Sequence, residues 1–310
     1  MKKITTILCV LCVTVLFSAC QKEGVYTPSK KIDKITCHYV NSSIDNVGET
    51  TVTQQWTWDK NGTVKEIKTG DGVTYKFNYI KKKRLVRVDI IQSLGQCHYE
   101  YIYDGETLKE TRMYRNESSW EETQIYTFTH TGKKITGIDY ESRIRDFDSS
   151  SEMAVGMFSP LQCVLPEDVV GLMEKEQKEV VKKCAAKGET SVKIHYDLTW
   201  SGGNVSSIEW DFSGESFGVV GPIHAIASYT YDHKKNPFSN FLLGDMYDIN
   251  LNAFQTGCFA NKNNVVKMDV IFNTTNISSY SYEFEYEYKG SYPVSKRETT
   301  GLYSETIEYK

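Results

Sequence analysis

Apolar and polar residues alternate along most of this chain, and the clearest run is "YSYEFEYEYKG" at residues 280–290. Every second position from Tyr280 to Tyr288 is aromatic, whereas the positions between them hold Ser281 or glutamate. A period of two predicts a β-strand with one buried and one solvated face. A membrane-spanning strand would present aliphatic residues to lipid and aromatic residues mainly at the two interfaces. We therefore predict a strand of a water-exposed sheet with its aromatic face towards the core; an aromatic ligand platform is the alternative.

The same alternation recurs between turns that are rich in glycine, aspartate and asparagine. The recurring segments are "TQQWTWDKNGTVKEI", "VTYKFNYIKKKRLVRVDII", "HYEYIYDGETLKETRMY", "IYTFTHTGKKITGIDY", "VKIHYDLTWSGGNVSSIEWDF" and "NVVKMDVIF". Two alternating runs on either side of such a turn predict an antiparallel hairpin. The polar face also argues against a parallel sheet covered on both sides. The sequence thus predicts an all-β, mostly antiparallel fold, a meander of long hairpins that curls towards a barrel.

One segment, "PEDVVGLMEKEQKEVVKKCAAKG", breaks this pattern and predicts a helix. Pro166 suits the first turn of a helix, lysines cluster near its end, and Gly188 suits the residue that follows. We predict one inserted α-helix at about residues 160–188, packed on the sheet or plugging one end of it, with a partner-binding helix as the alternative. Cys163 and Cys184 bracket this helix and could form a disulfide in an oxidising compartment; buried thiols are the alternative.

The N-terminus has the pattern of an export signal. Lys2 and Lys3 precede an apolar stretch over residues 7–17 that is too short to span a bilayer comfortably, and two small residues then precede Cys20. This arrangement resembles a bacterial lipoprotein signal, in which cleavage leaves the cysteine as a diacylated N-terminus. Phe17 departs from the aliphatic residue that is usual at its position. A plain secretory signal with an incidental cysteine is the alternative.

The chain is therefore predicted to have three parts. Residues 1–19 are the signal peptide, residues 20–33 form a flexible tether after the lipidated Cys20, and residues 34–310 form a single β domain. The stretch "QKE" after Cys20 looks like the surface-export signals of Bacteroidetes lipoproteins. The predicted location is the outer membrane, with display on the cell surface or on the periplasmic face.

Composition and net charge limit the classes of partner and cofactor that the sequence predicts. The 310 residues carry a formal net charge of −4, which gives no electrostatic reason to expect nucleic acid, and 21 tyrosines favour a sheet. The basic run "KKKR" at residues 81–84 is predicted to be a solvated hairpin turn. The six histidines are scattered without metal-binding spacing, so neither a metal nor another cofactor is predicted.

The stretch "GESFG" at residues 214–218 matches the G-x-S-x-G pattern of hydrolases, with Ser216 as the nucleophile and His224 nearby. That pattern requires a strand before the serine and a helix directly after it. Gly221 and Pro222 argue against a helix there, so a loop is the preferred interpretation and a serine hydrolase is the alternative.

Tryptophans could supply a stacking surface for sugar rings. Trp200 and Trp210 alternate with apolar residues and are predicted to be buried. Trp120 lies beside Asn116 and two serines in a predicted turn, which makes it the candidate for an exposed, glycan-binding aromatic residue.

The strand and turn motifs "WTWDKNGTVKEI", "YIYDGETLKE" and "YTYDHKKNPFSNF" resemble secreted Bacteroidetes lipoproteins of unknown function, whose hairpins look like degenerate tyrosine-aspartate (Rhs-type) repeats. The resemblance covers most of residues 34–310, although the spacing of the motifs drifts more than in true repeats. It implies a porin-like fold, a long antiparallel sheet curled towards a barrel, and brings no catalytic residues.

These observations favour a lipid-anchored protein of the cell envelope. We expect a non-enzymatic binding or scaffold role, with a glycan or another envelope protein as the partner, attachment to the membrane through the N-terminal lipid, and no nucleic acid.

Overall fold

Antiparallel strands make up most of the chain that the structure describes. The computed structural model describes residues 23–43, 46–92, 96–117, 120–145, 189–213, 222–242, 261–274, 278–301 and 303–310. The strands are β1 (Ile32–Ser43), β2 (Asn46–Trp58), β3 (Val64–Thr69), β4 (Thr74–Ile80), β5 (Arg84–Ile91), β6 (Gln96–Asp104), β7 (Thr107–Glu117), β8 (Trp120–Thr131), β9 (Lys134–Arg145), β10 (Glu189–Ser201), β11 (Asn204–Ser213), β12 (Pro222–Tyr231), β13 (Val265–Phe272), β14 (Tyr280–Lys289), β15 (Tyr292–Glu298) and β16 (Tyr303–Tyr309).

The sheet closes on itself. Each strand pairs with its neighbours in sequence, and β1 pairs with β16 from Ile32 opposite Tyr309 to Tyr39 opposite Tyr303. The predicted antiparallel meander is confirmed. The sheet was predicted only to curl towards a barrel, whereas all sixteen described strands form one closed barrel. The predicted helix at residues 160–188 lies outside the described residues. Within the described ranges, no helix has both the length and the apolar character needed to cross a bilayer.

The barrel buries the inward side chains and exposes the outward ones. On β14, Tyr282 and Phe284 are 7% and 5% exposed, whereas Glu283 and Glu285 on the other face are exposed. The core contains inward residues from strands all around the ring, for example Ile35, Trp56, Phe77, Tyr99, Phe128, Leu198, Ile208, Met268 and Ile307. Outward positions hold mainly threonine, serine and charged residues. The prediction that the aromatic face of residues 280–290 points to the core is confirmed.

One irregularity repeats around one end of the barrel. Near the start of each odd-numbered strand, the register shifts so that one extra residue follows the first or second residue of the pairing. The extra residues are Asp33, Lys65, Val86, Lys109, Thr136, Ser206, Val266 and Val294. Such bulges bend a strand and increase its twist. Eight of them at one level favour the curvature that closes this sheet.

Aromatic side chains of the even-numbered strands hydrogen-bond to the backbone beside these bulges. The Nε1 atoms of Trp58 and Trp200 donate to the carbonyl oxygens of Ile32 and Ile135, at 2.7 and 2.6 Å. The hydroxyls of Tyr103, Tyr231, Tyr286 and Tyr309 donate in the same way to the carbonyls of Leu85, Val205, Val265 and Pro293. Each ring thus packs its apolar body inside while its polar tip satisfies a backbone acceptor.

We call this end the base; both ends of the described chain lie there. A connecting segment, residues 232–242, packs into it. The Phe241 ring lies 5.0 Å from that of Tyr26, 4.9 Å from Trp56 and 5.8 Å from Phe77. The Tyr101 hydroxyl donates to the carbonyl of Leu242. This segment therefore fills the interior of the barrel at the base.

Residues 23–31, which belong to the segment predicted as a flexible tether over residues 20–33, also pack against the base. Tyr26 is 4% exposed and donates to the carbonyl of Pro237 at 2.7 Å, and burial raises its pKa. The Glu23 carboxylate accepts from the Leu108 backbone N–H and contacts His130 Nε2 at 3.0 Å. Gly24 has a φ of 74°, and a Cβ atom there would overlap the Tyr103 hydroxyl. Specific contacts therefore fix the chain from residue 23 onwards.

Candidate functional site

A groove of about 480 Å³ crosses the outer wall of the barrel on β7, β8 and β9. Its floor consists of Thr123, Ile125 and Thr127 of β8. Longer side chains rise on both sides, from Glu110, Arg112 and Tyr114 of β7 and from Glu141 and Arg143 of β9. Short residues on the middle strand between long residues on its neighbours create the depression. We call it the β8 groove.

Strand register brings these residues together. Arg112 lies opposite Ile125, and Ile125 lies opposite Glu141, so that one row crosses three strands. In the next row on the same face, Tyr114 lies opposite Thr123, and Thr123 opposite Arg143. Side chains in such rows are close enough to interact directly. The groove therefore follows from the register between three consecutive strands.

Four of the five charged side chains that line the β8 groove are paired within its walls. Arg143 donates from Nε and Nη2 to the two carboxylate oxygens of Glu141, at 2.9 Å each. This pairing holds the pKa of Glu141 below its usual value. Arg112 hydrogen-bonds with Tyr114 and with Glu110, and these contacts raise its pKa. Both pKa values are thereby shifted further from neutral pH, whereas a general acid or base works best with a pKa near the operating pH.

This arrangement suits recognition of a hydroxyl-rich ligand. The paired arginines and glutamates supply fixed donors and acceptors, and Tyr114 and Ile125 supply apolar surface. Tyr114 is held by His98, whose ring lies 4.9 Å away and nearly parallel. Burial, followed by the charge of Arg87, lowers the pKa of His98. Sites for small ligands combine apolar surface with a few positioned polar groups in this way.

The residues predicted from sequence fall elsewhere, or outside the described residues. Cys20, Cys163, Cys184 and Ser216 lie outside them. Trp120 begins β8 and pairs with Glu117, next to Glu121 at the edge of the β8 groove; its side chain is not among those described.

His224 lies on the outward face of β12 beside two carboxylates. Its Nδ1 atom is 2.9 Å from Asp211 Oδ1, and its Nε2 atom is 3.8 Å from Glu209. A similar pair forms between His195 and Asp139, at 2.6 Å, and its hydrogen bond raises the pKa of His195. Within the described ranges, no group of three or more histidine, cysteine, aspartate or glutamate side chains is placed to hold a metal ion.

The described residues define a closed antiparallel β-barrel with a mainly apolar interior, a charged outer wall and a groove on that wall. Among solved structures, the chain is similar to a porin-like protein from Bacteroides vulgatus ATCC 8482, with a TM-score of 0.51 and 12% sequence identity, covering 91% of this chain and 99% of that one. It is also similar to a porin-like protein from Bacteroides uniformis ATCC 8492, with a TM-score of 0.48 and 9% identity, covering 94% and 100% of the two chains. The first likeness confirms the porin-like barrel fold. No protein-family model and no curated protein matches the chain.

Proposed function

We propose that this chain is a lipid-anchored protein of the bacterial cell envelope that binds a glycan, without catalysis, in the β8 groove. The observation that carries the proposal is the groove itself, a pre-formed depression with paired charges and an aromatic edge on the outer wall. The packed interior supports a site on the outer wall rather than inside the barrel, because side chains of the core and of residues 232–242 fill the interior at the base. An envelope protein in place of a glycan is the second outcome of the binding test.

The outer wall supports attachment by a lipid rather than insertion of the barrel. The porin-like likeness favours an envelope location. The outward faces, however, carry charged residues in their central parts, such as Glu141, Lys193 and Asp269. Charged residues that face lipid at the middle of a bilayer cost about 2–4 kcal/mol for each Lys or Arg, with smaller costs for Asp and Glu. An anchor at Cys20 would hold such a barrel at the membrane surface.

We expect metabolic labelling with palmitate to mark the chain at Cys20, because the lipoprotein-type signal leaves this cysteine for acylation. Labelling should disappear in the Cys20→Ala variant and persist in a Cys97→Ala control. A wild-type chain that stays unlabelled in a host with lipoprotein processing would refute the anchor.

We expect Arg143→Ala to weaken binding of the best ligand on a glycan array by about 10- to 100-fold, because charge-assisted hydrogen bonds contribute about 1.5–3 kcal/mol. The matched control is Arg297→Ala, since Arg297 makes the same kind of contact with Glu285, at 2.5 Å, outside the groove. The control should stay within about twofold of wild type. Trp120→Ala tests whether the ligand extends past Glu121. Equal losses in both arginine variants, or binding untouched by Arg143→Ala, would contradict the assignment of the groove.

A serine hydrolase is the second candidate, favoured by one observation. The contact between His224 and Asp211 supplies the oriented imidazole that a serine nucleophile needs, and Ser216 lies in the connection between their strands. Against it, the similar contact of His195 with Asp139 shows that such pairs also form across neighbouring strands of this wall. Labelling by a fluorophosphonate probe that is lost in Ser216→Ala would establish the hydrolase; no labelling is expected.

A further inference from the structure

Among the described residues, the two ends of the barrel differ sharply in charge. The described residues of the connecting and terminal segments at the base include ten lysines with described side chains and four carboxylates. These lysines are Lys30, Lys31, Lys60, Lys81, Lys83, Lys133, Lys234, Lys235, Lys262 and Lys310. At the opposite end, the described connecting residues include no lysine or arginine and one carboxylate, Asp71.

Three of the four carboxylates at the base accept hydrogen bonds from the protein itself. Glu23 contacts His130 and the Leu108 N–H, and Asp59 accepts from the backbone N–H groups of its own turn, which lowers its pKa. Asp232 accepts from the N–H groups of its loop. Most of the lysines, by contrast, are exposed. The field outside the base is therefore positive although the whole chain is weakly acidic.

Several cations at the base lie over aromatic rings of its outermost layer. The Lys31 ammonium is 5.6 Å from the Trp58 ring, and the Arg84 guanidinium is 4.7 Å from the Tyr103 ring. Lys134 and Lys234 lie at 5.5 Å from Trp200 and Tyr288. These contacts hold the positive charges in a layer above the apolar interior. Cations outermost with aromatic rings beneath them is the arrangement expected of a protein surface that contacts a membrane.

The position of the predicted anchor points to the same end. Glu23 is fixed on the base, and only Gln21 and Lys22 separate it from Cys20. Three residue steps of fully extended chain span at most about 11 Å. A lipid on Cys20 would therefore hold the base, rather than the opposite end or the wall, against the bilayer.

We propose that the base of the barrel is a membrane-docking face that binds anionic lipid headgroups through its ring of lysines. The lipid orients the base towards the bilayer, and the lysines hold it there, so that the wall with the β8 groove stands away from the membrane. Each lysine close to an anionic surface contributes about 1 kcal/mol at most, and salt screens the attraction. The orientation rests on the proposed anchor at Cys20, whereas the charged face itself does not.

The test uses the full mature chain with Cys20→Ser, which carries no acyl group, and sedimentation with vesicles. We expect binding to phosphatidylcholine vesicles that contain about one third phosphatidylglycerol, no binding to phosphatidylcholine alone, and release in about 1 M sodium chloride, where the Debye length is about 3 Å. Reversing three base charges, Lys60→Glu, Lys81→Glu and Lys133→Glu, should weaken binding at least about tenfold.

The matched control reverses three exposed wall charges, Lys68→Glu, Lys76→Glu and Lys193→Glu, and should stay within about twofold of the parent. Both variants should keep the near-ultraviolet circular dichroism of the parent, and the salt and lipid dependence of the parent chain tests the proposal even if one of them misfolds. Equal loss in both variants, or equal binding to neutral vesicles, would overturn the docking face. Because this chain has no acyl group, that result is independent of palmitate labelling at Cys20.

Discussion

Phe241→Ala is expected to lower the free energy of unfolding by about 3–5 kcal/mol, the range for truncating a buried phenylalanine. Phe241 is 2% exposed, and its ring lies within 6 Å of the rings of Tyr26, Trp56 and Phe77. These three rings belong to the N-terminal segment, β2 and β4. Removal of the Phe241 ring therefore leaves a cavity at the point where residues 23–31 and residues 232–242 meet.

Denaturant unfolding followed by circular dichroism measures this change. Ile80→Ala is the matched control, because Ile80 is apolar but 54% exposed on the barrel, and its loss should cost less than about 0.5 kcal/mol. We also expect amide protons near Tyr26 to exchange faster in Phe241→Ala, since local opening follows lost packing. A cost below about 1 kcal/mol would mean that residues 232–242 do not stabilise the base.

The strands of this barrel could be predicted from sequence because alternation is a local signal. Tyr282 and Phe284 face inward as their spacing predicts, and "KKKR" forms a turn in which Lys81–Lys83 adopt a 3-10 conformation. Closure could not be predicted, because it depends on pairing between Ile32 and Tyr309, which are at opposite ends of the domain. No periodic pattern specifies such a contact.

The packing of residues 23–31 and 232–242 at the base could not be predicted from the sequence either. Phe238 and Phe241 lie in a short segment after Asp232 that has neither helical nor strand periodicity, and Tyr26 is a single aromatic residue in a polar stretch. Their burial depends on a cavity that forms only when the whole ring of strands is assembled. The polar composition of residues 23–31 gives no sign of the contacts that Tyr26 and Glu23 make there.

The β8 groove was missed for a related reason. Arg112, Ile125 and Glu141 become neighbours only through the registers of β7, β8 and β9. Each strand alone shows an ordinary solvated face. The available signal was the run of short residues Thr123 and Thr127 around Ile125 between two strands rich in long charged side chains. An exposed tryptophan is the stronger sequence signal, and it indicates Trp120, which lies one residue from the groove.

The hairpin motifs show how local sequence and barrel geometry meet. Trp58–Asp59, Tyr103–Asp104 and Tyr231–Asp232 occupy equivalent points, at the end of an even-numbered strand and opposite the residue that precedes a bulge. In each, the aromatic residue hydrogen-bonds to the start of the previous odd-numbered strand. The motif thus combines a turn with an inter-hairpin contact, which explains why its spacing can drift while its position in the barrel does not.

Lys296→Met is expected to destabilise the barrel by about 3–5 kcal/mol, the cost of removing one of two opposite charges that are buried on facing strands. Lys296 on β15 lies directly opposite Glu305 on β16, and both are 1% exposed on the inward face. The Lys296 ammonium lies 4.6 Å from the Phe284 ring and 5.4 Å from the Tyr303 ring, and the Tyr303 hydroxyl donates to Glu305 at 2.6 Å. Methionine fills similar volume but leaves the carboxylate buried without the opposite charge.

A double-mutant cycle separates this charge effect from a loss of packing. Glu305→Gln in the Lys296→Met background should restore at least about half of the lost stability, because a neutral amide is cheaper to bury than an unpaired carboxylate. Lys76→Met, on the exposed face of β4, is the control and should change stability by less than about 0.5 kcal/mol. If the second substitution adds to the loss, the two side chains act independently and the cost lies in packing against Phe284. A recovery would show instead that neutralisation of Glu305 is the role of Lys296 in the closed barrel.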